Sequence, residues 1–252
     1  MSGAILQTAN LSKNFGGLSA VDKVTIDFQP GQVHAIIGPN GAGKTTLINL
    51  LSGELKPSSG KIIFKGRDVS NAPVFEISQL GIGRSFQKTN IFPDFTCLAN
   101  CRLAGQSRMT TSMRFMRAAG SYDEIRTRAE RALDLCGLSD RADWIASAMS
   151  YGEQRQLEIG MMLATEPNLL LLDEPLAGMG REESGQVVEL IKRLAKDHTV
   201  ILIEHDMDAV FAVADVLTVM VNGTVLASGT PEQIRASQDV QDAYLGSGEE
   251  DQ

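Results

Sequence analysis

The chain has 252 residues, 43% of them hydrophobic and 21% charged, with a formal net charge of −8 and a pI near 5.0. This balance is typical of a globular protein with a sizeable core, and it excludes a wholly disordered chain. The acidic charge argues against nucleic acid as a partner, because phosphate backbones are bound by clustered Lys and Arg.

The sequence has no run of about 18 consecutive apolar residues, the length needed to cross a membrane. Its first ten residues lack the basic segment and apolar run of a secretion signal. Cys97, Cys101 and Cys136 are too sparse for a disulfide scaffold, and we expect them to be buried core thiols in a reducing compartment. The sequence therefore predicts a cytoplasmic protein, to which other chains would supply any membrane part.

The first third of the chain carries strand patterns separated by turns. Residues 21–28 alternate in polarity, and residues 33–37 form a short apolar run that ends in a Gly-rich loop. Residues 45–52 then have the pattern of a helix that Gly53 would end.

Strand patterns become rare from residue 88 to residue 162. Ser121 and Glu124 have the spacing of a capping box, in which Ser caps a helix and Glu returns a hydrogen bond, and Gly137 would end that helix. This segment is therefore predicted to be a mostly helical lobe inserted into an α/β core.

The last third returns to strands and helices. Leu169–Leu172 and Val200–Ile203 are wholly apolar runs, which favour strands covered on both faces in a parallel sheet. Residues 216–227 have the pattern of a hairpin around Asn222-Gly223, a pair that favours the tight primed turns.

The most specific motif follows the apolar run at residues 33–37. It matches the phosphate-binding loop G-x-x-x-x-G-K-[ST] in full, with a strand pattern before it and a helix pattern after it. Its backbone N–H groups and the following helix are suited to phosphates, Lys44 to the β- and γ-phosphates, and the Thr45 hydroxyl to Mg²⁺. We therefore expect a nucleoside triphosphate bound with Mg²⁺; ATP is the nucleotide that resemblance to a known family would imply. The predicted nucleotide-binding residues of this segment are Gly38, Asn40, Gly41, Ala42, Gly43, Lys44, Thr45 and Thr46.

A second motif is the acidic pair Asp173-Glu174, which directly follows Leu169–Leu172. An Asp at the end of an apolar strand holds Mg²⁺ in phosphate-loop enzymes. Glu174 then lies where it would orient and activate a water for attack on the γ-phosphate.

The order of further residues extends these motifs. Gln87 lies between the phosphate loop and the segment Ser150-Tyr151-Gly152-Glu153-Gln154, and His205 follows another strand after the acidic pair. In this order the chain resembles ABC ATPases over essentially its whole length. A phosphate-loop GTPase or kinase would have no use for Ser150 and His205.

The resemblance implies roles for individual residues. Phe15 would stack on adenine, Gln87 would contact Mg²⁺ or the attacking water and sense the membrane partner, and His205 would contact the γ-phosphate. The signature residues would cap the γ-phosphate bound by the facing subunit. The implied set is thus Glu174, His205 and Gln87 for catalysis, Thr45, Gln87 and Asp173 for the metal, and Ser150, Tyr151, Gly152 and Glu153 for the signature in trans.

The resemblance also implies an architecture and partners. We expect an α/β fold, a phosphate-loop ABC ATPase core with a parallel sheet, an N-terminal antiparallel β subdomain and an inserted mostly helical lobe. Residues 1–252 would be one ABC ATPase domain, with the core and β subdomain at 1–87 and 163–252 and the lobe at 88–162. The implied partners are a second ATPase subunit (a copy or a paralogue), transmembrane permease subunits and, through them, a substrate-binding protein. The chain would then lie on the inner face of the cell membrane.

Two positions depart from the family pattern. Tyr151 stands where the signature usually has a small residue, and Gly180 stands where many relatives carry Asp. The second departure bears on the contact that this loop usually makes across the dimer.

Within the family the chain is most similar to the ATPases of bacterial branched-chain amino acid importers. The similarity includes Asn14-Phe15-Gly16-Gly17, Tyr151 and Glu204-His205-Asp206-Met207. Two alternatives stay open: the ATPase of a lipopolysaccharide-type exporter, and a soluble ABC ATPase of DNA repair or translation. The soluble class usually has two cassettes or a long coiled-coil insertion, whereas this chain has one phosphate loop and one signature.

The segment after Gln87 would form the groove that receives a helix of the permease. Ile91, Phe92 and Phe95 are apolar residues around a Pro. They either form this docking surface or pack inside the helical lobe, and the sequence leaves both interpretations open.

Overall fold

The computed structural model describes residues 3–85, 90–108 and 120–245. Within these ranges the strands are β1 (Leu6–Phe15), β2 (Leu18–Phe28), β3 (Val33–Ile37), β4 (Ser59–Phe64), β5 (Arg67–Asp68), β6 (Ile82–Arg84), β7 (Leu169–Asp173), β8 (Thr199–Ile203), β9 (Val216–Val221) and β10 (Thr224–Gly229). The α-helices are α1 (Lys44–Leu51), α2 (Val74–Leu80), α3 (Cys97–Gln106), α4 (Gly120–Leu135), α5 (Tyr151–Leu163), α6 (Arg181–Leu194), α7 (Met207–Val213), α8 (Pro231–Arg235) and α9 (Gln238–Leu245).

The strands form two sheets. The first is antiparallel and has the order β2-β1-β4-β5, and the second has the order β10-β9-β3-β8-β7-β6. In the second sheet β9, β3, β8, β7 and β6 run parallel, and β10 pairs with β9 in antiparallel fashion. Helices α3, α4 and α5 all lie between β6 and β7 in the chain. The predicted α/β fold with a parallel sheet and an antiparallel N-terminal sheet is thus confirmed.

The central strands are apolar because both faces of the sheet are covered. Every residue of β3, β7 and β8 is buried. In β7 the leucines alternate between two cores: Leu169 and Leu171 pack with the side that includes Phe28 and Leu47, whereas Leu170 and Leu172 face the other core. The run of four leucines therefore joins the two hydrophobic cores.

The hairpin after β9 forms as its sequence predicts. Asn222 and Gly223 have φ angles of 50° and 79°, the left-handed conformation that both central residues of a type I′ turn require. This turn also contacts the phosphate loop, because the N–H of Gly223 donates to the carbonyl oxygen of Ala42 at 3.0 Å.

The three cysteines are buried and unpaired, as predicted. Cys101 and Cys136 contact the position of Gly160 on α5, where an added Cβ would lie 3.5 Å and 3.4 Å from their sulfur atoms. Burial raises the pKa of the Cys136 thiol to about 12. These thiols are therefore inert packing groups between α3, α4 and α5.

The predicted capping box at Ser121 is wrong. Helix α4 already includes Gly120, so Ser121 lies inside it, and Glu124 pairs with Arg128 at 2.6 Å one turn further along. The i,i+4 ion pair gives Glu124 a partner that does not require a cap.

The division into a core and a lobe at residues 88–162 stays a prediction. In the ranges described, no helix has the length and apolar character needed to cross a membrane.

Candidate active site

The sheet brings the predicted motifs to one edge. The phosphate loop follows β3, Asp173 ends β7, and His205 follows β8. Strand β8 lies between the other two, since Ile203 pairs with Ile36 on β3 and with Asp173 on β7. Because these strands are parallel, their carboxyl ends meet at the edge where ligands bind in open α/β sheets.

Two glycines of the loop are required by close backbone approaches. At Gly38 an added Cβ would lie 2.1 Å from the carbonyl oxygen of Met220, and at Gly43 it would lie 2.2 Å from that of Ala20. Gly43 also has a φ of 96° and forms the N-cap of α1. These contacts hold the loop against β9 and the end of the first sheet, so that α1 begins at the loop.

Lys44 folds back over the loop that precedes it. Its Nζ donates to the carbonyl oxygens of Gly38 at 2.6 Å and Pro39 at 2.9 Å. Burial lowers the pKa of the Lys44 amine, and the nearby carboxylates of Glu174 and Asp173 oppose this shift. The ammonium group is thus held between the loop and the acidic pair.

A cavity of about 640 Å³ opens over the loop. It extends from Phe15, whose residue surface is 46% exposed, to Glu174. A cavity that is lined by both apolar and polar residues beside a preformed loop is typical of small-molecule sites. The lining residues are Phe15, Leu18, Ser19, Ala20, Asn40, Gly41, Ala42, Gly43, Lys44, Thr45, Thr46, Glu174 and Asn222.

The acidic pair is held differently at its two positions. The Asp173 carboxylate is buried and accepts a hydrogen bond from Arg84 Nη2 at 3.2 Å, and burial raises its pKa while Arg84 opposes the shift. Glu174 has a left-handed backbone with a φ of 46°, and its N–H donates to the carbonyl oxygen of Ile203 at 2.9 Å. This uncommon conformation turns the chain at the end of β7, so that Glu174 lines the cavity.

Arg155 holds the backbone of the acidic pair by hydrogen bonds. Its Nη2 donates to the carbonyl oxygens of Asp173 at 3.0 Å and Glu174 at 3.3 Å, and its Nη1 pairs with Glu158 at 2.6 Å. The Arg155 side chain is only 2% exposed. Helix α5 is thereby connected to the backbone of the candidate catalytic residues.

The oxygen atoms at this edge fit Mg²⁺. A carboxylate at Asp173 and a hydroxyl at Thr45 are hard ligands, which Mg²⁺ combines with phosphate oxygens and waters rather than with a closed protein cage.

The signature residues begin α5. Ser150 caps this helix, since its hydroxyl accepts from the N–H of Glu153 while the Glu153 carboxylate accepts from the N–H of Ser150 at 2.9 Å. The N–H of Gly152 donates to Glu183 on α6 at 3.2 Å, and Tyr151 is 43% exposed. Among the described residues that line the phosphate cavity, none belongs to this segment.

The departures at Tyr151 and Gly180 have a local structural account. Gly180 is the N-cap of α6, and its N–H donates at 3.4 Å to Glu183, three residues further along. Tyr151 lies beside Gly178, where an added Cβ would be 3.6 Å from the Tyr ring. Gly178 has a left-handed φ of 77°, which favours glycine, whereas an added Cβ at Gly180 would meet nothing within 4 Å, so packing does not require glycine at position 180.

His205 presents its imidazole to solvent, with 69% of the side chain exposed. The preceding residue, Glu204, is fully buried and accepts backbone hydrogen bonds from Leu176 at 2.8 Å and His205 at 3.0 Å. Burial raises the pKa of the Glu204 carboxyl, and the backbone N–H groups oppose the shift.

The structure thus brings Phe15, the phosphate loop and Glu174 together around one cavity, with Asp173 and His205 at the same edge of the sheet. Gln87 lies outside the described residues. The sequence did not predict that Arg84, Arg155 and Glu204 hold the residues at this edge of the sheet by hydrogen bonds. Glu204 directly follows an apolar strand, but neither its position nor that of Arg155 on α5 carries a sequence pattern that marks a buried charge.

A phosphate loop between a buried parallel strand and a helix, with an acidic pair at the end of a neighbouring strand, defines the chain as a phosphate-loop nucleotide hydrolase. Comparison with known proteins gives the family. Residues 21–177 match the ABC transporter family, and residues 224–250 match the family described as "Branched-chain amino acid ATP-binding cassette transporter".

Relatives extend over nearly the whole chain. The chain is 40% identical to the high-affinity branched-chain amino acid transport ATP-binding protein LivG of Escherichia coli K12, covering 98% of this chain and 99% of LivG. It is 39% identical to BraF of Pseudomonas aeruginosa, described in the same words, with the same coverage. The crystal structure of MJ1267, an ATP-binding cassette of an ABC transporter in its ADP conformation, superposes with a TM-score of 0.83 at 32% identity, covering 96% of this chain and 98% of that one. The chain belongs to the ABC transporter family and is one of its ATP-binding, ATP-hydrolysing subunits.

Proposed function

We propose that this chain, with Mg²⁺ and a second ATPase subunit, hydrolyses ATP to power the import of branched-chain amino acids through membrane permease subunits. The observation that supports hydrolysis best is the cavity shared by the phosphate loop and Glu174. The substrate class rests on the relatives LivG and BraF, which are described as branched-chain amino acid transport ATP-binding proteins.

A nucleotide would lie along the cavity with its adenine at one end and its phosphates at the other. Phe15 would stack on adenine, and Lys13, whose Nζ lies 5.2 Å from the centre of the Phe15 ring, adds positive charge near that end. The phosphates would lie on the loop between Gly38 and Thr46, where the N-terminus of α1 favours anions. Lys44 would then exchange its two carbonyl acceptors for the β- and γ-phosphate oxygens.

The metal would be held beside the γ-phosphate. Thr45 and Asp173 provide the protein oxygens, and Gln87 is the third proposed ligand. Bound there, Mg²⁺ neutralises charge on the phosphates and fixes their geometry. Arg84 holds the Asp173 carboxylate in place by a hydrogen bond from its Nη2.

Glu174 would perform the chemical step. Its carboxylate would accept a proton from the attacking water and hold that water in line with the γ-phosphate. His205 follows the neighbouring strand β8 with its side chain exposed, and it would hold the γ-phosphate in place.

The site would be completed across a dimer. The cavity wall does not draw on Ser150, Tyr151, Gly152 or Glu153 within the described residues of one chain. These residues begin α5 with a capped, exposed N-terminus, which is suited to a phosphate presented by a facing subunit.

The permease would dock on an exposed apolar surface of the helical region. We call it the aromatic patch and define it as Phe92, Phe95, Trp144 and Ile145. Their exposed fractions run from 42% to 47%, the rings of Phe92 and Phe95 stack at 5.5 Å, and the backbone at Thr96 bridges to Ile145. Contiguous apolar surface of this kind marks protein interfaces. Docking there would hold the chain on the inner face of the membrane, with any substrate-binding protein contacting the permease.

Transport in proteoliposomes tests this proposal. The subunit, co-purified with its permease chains, should drive ATP-dependent uptake of leucine, isoleucine or valine, and Lys44→Ala should abolish both uptake and hydrolysis. Lys192→Ala is the matched control, because Lys192 pairs with Glu189 on the exposed face of α6. Hydrolysis without uptake of any of the three amino acids would refute the substrate class, and absence of hydrolysis would refute the proposed activity.

A further inference from the structure

Glu204 joins two loops of the candidate active site. Its Oε1 accepts the N–H of Leu176 at 2.8 Å, and its Oε2 accepts the N–H of His205 at 3.0 Å and that of Asp206 at 3.5 Å. Leu176 lies two residues after Glu174, and His205 is the exposed histidine at the end of β8. One side chain therefore contacts the loop of the catalytic carboxylate and the loop of the histidine.

We propose that Glu204 is a positioning residue, a two-sided clamp that fixes the loop of Glu174 relative to the loop of His205. The inference rests on the proposed function, in which Glu174 orients the attacking water and His205 holds the γ-phosphate. Glu204 itself contacts neither, since its side chain is fully buried behind both loops.

The chemistry of a carboxylate explains why this position carries Glu. Each oxygen accepts from a different loop, so both loops are held only if both atoms are acceptors. Gln has one acceptor and one donor, and its NH₂ group would face a backbone N–H. Burying a carboxylate is unfavourable unless hydrogen bonds compensate. Three backbone donors offset part of that cost here.

The pairing of β7 with β8 explains why Glu204 affects the position of Glu174 relative to His205. Ile203 pairs with Asp173 across β7 and β8, and the N–H of Glu174 donates to the carbonyl oxygen of Ile203. Beyond this point the two strands separate into loops. Glu204 is the next residue after Ile203, and its side chain continues the connection to Leu176 where the sheet has ended. Loss of the connection would let Glu174 and His205 move independently.

The test combines backbone amide exchange with kinetics on Glu204→Gln in the full-length chain. Exchange at Leu176 or at His205 should accelerate, because one of the two N–H groups loses its acceptor. The kcat for ATP should fall roughly tenfold or more while KM stays within about twofold. Displacement of a reacting group by about 1 Å can reduce the rate by about 10²-fold, and equal falls in kcat and kcat/KM mark an interaction made only in the transition state. The phosphate loop, on β3 and α1, is left intact.

Two controls separate positioning from a general loss of stability. Val200→Ala removes buried volume from the other end of β8 and should lower the melting temperature without changing kcat or the exchange of Leu176 and His205. Glu189→Gln makes the same charge change on the exposed face of α6. The proposal would be overturned if the kcat of Glu204→Gln lay within twofold of the wild-type value. It would also be overturned if Val200→Ala, at an equal loss of melting temperature, lowered kcat as much as Glu204→Gln does.

Glu204→Asp covers the case in which the Gln variant fails to fold. Asp keeps the charge and can still accept from the adjacent N–H groups of His205 and Asp206, but its shorter side chain no longer reaches Leu176. The chain should fold, exchange at Leu176 alone should accelerate, and kcat should again fall. Unchanged exchange at Leu176 in a folded Asp variant would overturn the clamp, whether or not the wild-type chain hydrolyses ATP, so this result is distinct from failure of the proposed function.

Discussion

Arg155 Nη2 donates to the backbone carbonyl oxygen of Asp173 at 3.0 Å, which connects α5 to the acidic end of β7. The same guanidinium pairs with Glu158 through Nη1, and both side chains are at most 5% exposed. Since the signature residues form the N-terminus of α5, this contact links the surface expected to face a second subunit with the backbone of the acidic pair in the chain's own site.

The Arg155–Glu158 pair gives a stability prediction. Arg155→Met removes the cation beside a buried carboxylate and should lower the free energy of unfolding by about 3–5 kcal/mol. The double variant Arg155→Met/Glu158→Leu should be less destabilised than the sum of the single variants, with a coupling of about 0.5–3 kcal/mol. Urea unfolding measures all three. Strict additivity would contradict a direct buried ion pair.

Glu174→Gln tests the catalytic assignment. The Gln side chain has the size of Glu, and the backbone contact with Ile203 is kept, but the amide cannot accept the proton of the attacking water. Hydrolysis should therefore fall by about 10²–10⁴-fold while ATP still binds. Steady-state hydrolysis and nucleotide titration measure the two effects. Glu182→Gln, on the exposed first turn of α6, is the matched control. Hydrolysis within a few-fold of the wild-type rate would exclude Glu174 as the base.

Mixed dimers test the proposal that the signature acts in trans. Lys44→Ala disables the phosphate loop of one chain, and Ser150→Arg places a large cation at the N-cap of α5 in the other. In a face-to-face dimer of the two variants, one site loses both elements and the other keeps both. Each variant alone should be inactive and the mixture should partly recover hydrolysis. Mixed dimers that form without any recovery would contradict trans complementation.

His34 gives a pH prediction. Its imidazole is buried in β3, where Nε2 lies 2.7 Å from the Thr218 hydroxyl oxygen, and burial lowers its pKa from 6.5 to about 4. Because the unfolded chain binds this proton more readily than the folded chain, the contribution of His34 to stability should fall by about 3 kcal/mol as pH decreases from 6.5 to 4. Urea unfolding at several pH values measures this effect. In His34→Gln the free energy of unfolding should change less between pH 6.5 and pH 4 than in the wild-type chain. His198→Gln, outside the sheet, is the control, and an unchanged slope in His34→Gln would show that His34 does not titrate on unfolding.

Much of the framework could be predicted from sequence because it depends on local patterns. The phosphate loop, the four leucines of β7 and the Asn222-Gly223 turn each carry their information within a few neighbouring residues. The order of motifs in a parallel sheet then placed the acidic pair and His205 at the edge of the phosphate loop, because carboxyl ends of parallel strands share an edge.

The supports of the site could not be predicted because they depend on contacts between distant residues. Arg155 reaches Asp173 from α5, and Glu204 reaches Leu176 across 28 positions. A buried Arg on a helix and a buried Glu after a strand resemble surface residues in a sequence, and only their tertiary partners distinguish them. The start of α4 was misplaced for a related reason, since the Ser121–Glu124 spacing also occurs inside helices.

Phe92 gives the last prediction, on the aromatic patch. The sequence left open whether this residue docks a partner or packs inside the helical region. Its 45% exposure favours docking, and Asn100 holds its backbone independently of the ring, accepting from the Phe92 N–H at 2.8 Å and donating to its carbonyl oxygen at 3.0 Å. Phe92→Ala should therefore reduce the free energy of unfolding by less than about 2 kcal/mol, because much of the ring is already in water.

The same variant should lose assembly with the permease and amino acid uptake while the isolated chain keeps its ATPase activity. Phe64→Ala calibrates the stability measurement, since Phe64 is 1% exposed in the core and should cost about 3–5 kcal/mol. Phe75→Ala, at a 66% exposed position on α2 outside the aromatic patch, controls for the general effect of removing a surface ring. If Phe92→Ala lowers the melting temperature of the isolated chain as much as Phe64→Ala does, the ring is a packing residue and the docking role is wrong. If stability is kept and assembly is also kept, the permease docks elsewhere.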